Sequence, residues 1–229
     1  MNITEEHVHF PSDNLSLEGV LAYDENTMPS RAILLCPPHP TLGGDMENNI
    51  ITSLARVSAK AGFLSLRFNY RGVGNSECGV KDIAEIFHYW EKTMSSENYA
   101  DALTDVHSAL NFLVKQSGRD AKIFIAGYSF GCIVGMRVAT ASDAVSAFAS
   151  ISTPFGKYNL SFLRECKKPK LFIYNQNDFA TTVEDTLQGL EKIHLPVTSE
   201  LIENSDHFYR GKEGIVSMKV CNFFDGIRY

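Results

Sequence analysis

Ala32-Ile33-Leu34-Leu35-Cys36 is wholly apolar, too short for a globular helix, and stopped by Pro37-Pro38. Such a run has no polar face to offer water, so it belongs in a strand covered on both sides. Pro37 and Pro38 cannot continue a hydrogen-bonded ladder. The same arrangement recurs down the chain. Strand patterns at Phe63 to Asn69, Lys122 to Ala126, Val145 to Ile151, Lys170 to Tyr174 and Val197 to Ile202 alternate with longer patterns of helical spacing. The helical patterns run Met46 to Ala61, Ala100 to Val114, Phe130 to Thr140, Val183 to Ile193 and Ile215 to Phe224. Ile50, Leu54, Val57 and Ala61 share one helix face, as do Leu103, Val106, Leu110 and Val114. Two opening strands, His7 to Tyr23, turn at Ser12-Asp13-Asn14. The expected fold is α/β, a mostly parallel central sheet of about eight strands with helices on both faces. No linker interrupts residues 1–229, which are read as one domain.

The remaining composition narrows the class. A formal charge of −6, with no basic run beyond Lys167-Lys168, argues against nucleic acid as a partner. No apolar stretch reaches the roughly 20 residues of a membrane span, and the start MNITEEHVHF does not resemble a signal peptide. A cytoplasmic location is expected. Five widely spaced cysteines without a C-x-x-C pair read as reduced, mostly buried thiols. The histidines do not cluster and no H-E-x-x-H occurs, so neither a metal nor a cofactor is expected. No P-loop or complete dinucleotide fingerprint occurs either.

Gly127-Tyr128-Ser129-Phe130-Gly131 stands between the strand KIFIA and a helix. A strand that turns sharply into a helix projects the central serine from the sheet edge, and small flanking residues avoid collisions across the turn. A serine hydroxyl needs a base, and the base needs an orienting group. Of seven histidines, His207 follows the last strand, at the carboxyl edge where ligands bind in open α/β sheets. Asp178 follows strand KLFIY after Asn175-Gln176-Asn177 and supplies the orienting carboxylate. The chain order Ser129, Asp178, His207 suits a triad on such a sheet. Asp206 would have to fold back across its own peptide bond, and Glu184 and Asp185 read as first-turn helix acids. Oxyanion donors are expected at the backbone N–H of Phe130 and of Thr41 or Leu42; Pro40 has none. His39 is expected to prop that loop.

With PPHPTLGGDMENN, RFNYRGVGNS and the triad order, the chain resembles the α/β-hydrolase superfamily from Leu17 to Phe224. Among its members it looks most like the small dienelactone-hydrolase-like or acyl-peptidase-like serine hydrolases. The resemblance implies a carboxylesterase-like enzyme that works through an acyl-enzyme on a small-molecule acyl substrate. A thioesterase, acyltransferase, peptidase or catalytically silent binding protein shares the same motifs.

Val80 to Met94 exceeds the minimal pattern. Ile83, Phe87, Trp90 and Met94 share a helical face, which predicts a buried stripe and a small lid at about 80–96. Phe87, Trp90 and Tyr128 are the expected substrate contacts.

Overall fold

In the computed structural model, which describes residues 2–227, the alternation becomes eight strands in a single sheet. They are β1 (Ile3–Ser12), β2 (Leu15–Asp24), β3 (Arg31–Cys36), β4 (Leu64–Phe68), β5 (Lys122–Tyr128), β6 (Val145–Ile151), β7 (Lys170–Asn177) and β8 (Val197–Asp206). The helices are α1 (Asn49–Lys60), α2 (Ile83–Ser96), α3 (Ala100–Gln116), α4 (Phe130–Ala141), α5 (Val183–Leu190) and α6 (Glu213–Asp225). Strand order is β1-β2-β4-β3-β5-β6-β7-β8. β2 pairs antiparallel with both β1 and β4, and every pairing from β4 to β8 is parallel.

The chain leaves β3 toward β4 on one side and later returns to β5 on the other. The loops after β3 and β5 therefore part, and a crevice opens between them at the carboxyl edge. Arg31 to Cys36 pairs with Lys122 to Gly127 along its whole length, which fixes the two loops side by side.

Two apolar layers hold the sheet. On one face, α1 and α6 bury Ile50, Leu54, Val216 and Phe224, and Phe224 stacks on Phe124 with ring centroids 4.5 Å apart. On the other, α3 and α4 bury Val106, Leu110, Ile133 and Met136. Residues 32–36 are buried on both faces, as expected: Ile33 and Leu35 join the first layer, Leu34 and Cys36 the second.

Some element details differ from the expectation. β7 runs past Tyr174, where the strand pattern ended, to Asn177, because Asn175 and Asn177 continue to pair with β8, which itself extends to Asp206. In α3 the buried face is Ala102, Val106, Ala109, Leu110 and Leu113, while Val114 is exposed. α2 exists where the spacing put it, but its face is rotated. Ile83 and Phe87 are exposed; Trp90 and Thr93 are buried, and Ile86 and Tyr89 pack beside them. Asp82 caps its start through the N–H groups of Ala84 and Glu85. No helix among the described residues is long and apolar enough to cross a membrane.

Candidate active site

The three expected residues meet at the carboxyl edge. β5 delivers Ser129 to a turn with φ 55° and ψ −116°, and α4 begins at the next residue. A non-glycine residue held in that region stores strain, and such strain gathers at functional sites. The turn is possible because both neighbouring glycines lack a Cβ. One on Gly127 would lie 2.3 Å from the Gly131 carbonyl oxygen, and one on Gly131 2.1 Å from that of Cys36. Ser129 N–H donates to the Ile151 carbonyl at 2.9 Å, tying the turn to β6.

His207 follows the end of β8. Its Nε2 lies 3.1 Å from Ser129 Oγ and its Nδ1 2.7 Å from Asp178 Oδ1. The His207 and Asp178 side chains are 5% and 2% exposed, so this hydrogen-bonded chain is shielded from water along most of its length. Burial alone would raise the Asp178 carboxyl. The hydrogen bond and charge of His207 and the Ala180 N–H outweigh it and hold the acid below the ordinary carboxylate range. Asp206 is engaged elsewhere, accepting from the Phe208 N–H at 2.9 Å.

Behind Asp178 lies support that the sequence did not signal. Asn175 Nδ2 donates to Asp178 Oδ2 at 2.9 Å and to Ser152 Oγ at 3.0 Å, and Ser152 Oγ meets Tyr209 Oη at 2.9 Å. These residues come from three strand ends, and no local spacing links them.

The loop after β3 forms a short 3₁₀ turn at Pro40–Leu42. His39 props it as expected: Nδ1 lies 2.9 Å from Thr41 Oγ1 and accepts a longer, 3.3 Å bond from Thr41 N–H. Leu42 is corrected as an oxyanion donor, because its N–H already closes the turn onto the His39 carbonyl at 3.0 Å. Phe130 opens α4, so its N–H has no acceptor within its own helix. Of the expected oxyanion donors, the Phe130 N–H is without an acceptor in its helix and the Thr41 N–H makes only the long bond to His39.

Two of the expected substrate contacts are also corrected. Trp90 is 1% exposed, with its indole N–H donating to the Arg71 carbonyl and its ring against His39, Tyr70 and Phe130. It lies beneath the loop rather than toward a ligand. Tyr128 is 2% exposed, and its hydroxyl donates to the His207 carbonyl at 2.6 Å, which anchors the histidine. Phe87 differs: half exposed, it lines an open cleft with Thr41, Leu42 and Met94. Phe179 and Phe208, which follow Asp178 and His207 in the chain, were not singled out by the sequence reading. Their rings lie 4.4 and 5.8 Å from the imidazole.

All five cysteines are free, and Cys132 sits directly beneath the serine turn, donating to the Gly127 and Ile151 carbonyls. Burial pushes its thiol up to about 12, which leaves it a packing residue rather than a nucleophile. Among the described residues no three His, Cys, Asp or Glu side chains group as a metal-ligand set.

Sheet order, strained serine turn and a histidine at the carboxyl edge together define an α/β-hydrolase of the serine type. Within that class the chain belongs to the serine aminopeptidase S33 family of hydrolases, whose model matches residues 43–197. It is 27% identical over 214 residues to an uncharacterized protein of Rickettsia prowazekii, covering 90% of this chain and 82% of that one. A candidate α/β-hydrolase of unknown function from Agrobacterium tumefaciens superposes with a TM-score of 0.81 at 26% identity, covering 96% and 95% of the two chains. A Pyrococcus furiosus esterase shares the fold at a TM-score of 0.78 and 14% identity, over 97% of this chain and 91% of that one.

Proposed function

We propose that the chain is a carboxylesterase-like serine hydrolase acting through Ser129, His207 and Asp178. The observation that carries this reading is the continuous bond from Asp178 Oδ1 through both nitrogens of His207 to Ser129 Oγ. Ser129 Oγ attacks the ester carbonyl carbon while His207 Nε2 takes its proton. The ionised Asp178 holds Nδ1 as the donor nitrogen and stabilises the imidazolium. The carbonyl oxygen becomes an oxyanion between the N–H groups of Phe130 and Thr41. Thr41 can release its long bond to His39 Nδ1 for this purpose while Oγ1 keeps the loop in place. As the tetrahedral species collapses, the carbon–oxygen bond to the alcohol breaks and Nε2 returns the proton to the leaving oxygen. Water then repeats the sequence on the acyl-enzyme and releases the acid. An ester is favoured over an amide by likeness to the esterase of the same fold.

Ser129→Ala is expected to abolish labelling by a fluorophosphonate and to lower kcat on p-nitrophenyl acetate by about 10⁴- to 10⁶-fold. Its melting temperature should stay close to the parent's, because the Ser129 hydroxyl's hydrogen bond is to His207 and a small hydroxyl is all that is removed. Labelling that survives the substitution moves the nucleophile elsewhere. An alanyl p-nitroanilide cleaved faster than the ester by the parent replaces the esterase reading with a peptidase one.

A further inference from the structure

The exposed rings of Phe179 and Phe208 lie on one side of the site only. Phe179 is 62% exposed and Phe208 40% exposed, although each follows a residue whose side chain is almost wholly buried. Their centroids stand 5.9 Å apart, and both rings contact the His207 imidazole.

Both are also held in place. Phe179 occupies the apex of the turn closed by the Ala180 N–H on Asp178 Oδ1 at 2.8 Å. Phe208 N–H donates to Asp206, its carbonyl accepts from Asn49 Nδ2 at 3.0 Å, and the Arg210 guanidinium lies 4.9 Å from its ring centre. Two ordered aromatic surfaces facing water carry an area that folding leaves unburied, and a partner group can bury it.

The reaction decides which part of a substrate that is. On the esterase reading the oxyanion points to Phe130 and Thr41, and the cleft that carries Phe87 adjoins that same loop through Thr41 and Leu42. The leaving oxygen must come within about 3 Å of His207 Nε2 to receive its proton. The substituent on that oxygen therefore lies against the rings that flank His207. Resting on the esterase reading above, the geometry points to Phe179 and Phe208 as a leaving-group subsite for the aromatic ring of an aryl or arylmethyl alcohol. Rings meeting at offset or edge angles give such an alcohol a fixed pose, whereas a small aliphatic alcohol leaves the platform wet.

Benzyl acetate and methyl acetate test this directly. Their alcohols have closely similar basicity and both esters form the same acetyl-enzyme, so deacylation is common and a difference in kcat/KM reports acylation alone. The parent should prefer the benzyl ester, and Phe179→Ala/Phe208→Ala should reduce the benzyl-to-methyl ratio by about tenfold or more. Phe179→Leu, which keeps apolar bulk but removes the ring, should reduce it by a smaller factor. Phe87→Ala should leave the ratio unchanged while altering preference among acyl chains. An unchanged ratio in the double variant, with turnover of both esters intact, overturns the subsite and leaves the esterase reading standing. A parent that neither turns over either ester nor labels with a fluorophosphonate removes both.

Discussion

His39 shows how one residue can couple loop geometry to pH. Its ring is 2% exposed and packs edge-on against Trp90 and Phe130. Burial lowers its pKa to about 4, so it stays neutral in the folded protein and Nδ1 stays free to accept from Thr41. An unfolded chain binds that proton near the ordinary value, about 6.5. Between these two values the unfolded state holds more protons, so this residue makes stability rise with pH across the window. The contribution is complete above about 6.5 and is lost as pH falls toward 4. Asp178 has its own window: its lowered carboxyl contributes above the ordinary carboxylate value and loses that contribution at more acid pH. His39→Asn, which keeps a short acceptor and removes the titration, should flatten the slope between pH 5 and 7. Urea midpoints are expected to show the parent losing about 1 kcal/mol more than the variant over that interval. Equal losses would mean that His39 already protonates freely in the folded state.

Helix α2 separates packing from recognition within a few residues. Sequence spacing located the helix but set its buried stripe on Ile83, Phe87, Trp90 and Met94. The helix instead turns Ile86, Trp90 and Thr93 inward, because Trp90 fills the space beneath the His39 loop and its N–H finds the Arg71 carbonyl. Helical periodicity reports which residues share a face; it does not say where tertiary contacts stop along that face. The unbroken apolar run was more informative, since residues 32–36 had only one physically acceptable setting. The site followed the same division. Ser129, Asp178 and His207 were legible because each stands where a strand pattern ends. Asn175, Ser152 and Tyr209 were hidden, because three distant strand ends bring them together. Trp90→Ala should therefore cost about 3–5 kcal/mol in urea unfolding, as expected for emptying a buried aromatic site. Phe87→Ala should leave the melting temperature within about 2 °C, since surface changes usually stay within about 0.5 kcal/mol, and should shift preference between acetate and octanoate esters. A large stability loss at Phe87 would make that ring part of the fold.

Across the whole molecule, the antiparallel β1–β2 corner and the candidate site are joined through one buried carboxylate. Asp105, on α3, has a fully buried side chain and accepts from Ser12 Oγ at 2.8 Å, from Arg71 N–H at 3.0 Å and from the Arg71 guanidinium at 2.7 Å. Ser12 closes β1, Arg71 opens the loop after β4, and the Arg71 carbonyl receives the Trp90 indole that supports the His39 loop. Hairpin, central sheet, α3 and α2 thus share one polar junction, whose members are drawn from Ser12 to Asp105. No local motif announces it. Asp105→Ala takes from a nine-tenths buried guanidinium its nearest partner, leaving it Asp101 at 3.2 Å and Asp13 at 3.7 Å, and should lower stability by about 3 kcal/mol. Arg71→Met should also destabilise, because Asp105 then retains only Ser12 and one backbone N–H. Combining Arg71→Met with Asp105→Leu removes both charges together, so the double variant should recover part of the loss. It should not recover all of it, since Ser12 Oγ and the Arg71 N–H lose their acceptor. Urea unfolding of the parent, Arg71→Met, Asp105→Leu and the double variant forms a cycle with an expected coupling of about 2–3 kcal/mol. A coupling near zero would mean that the ion pair is incidental and that the hydrogen bonds from Ser12 and the Arg71 backbone alone hold the corner to the sheet.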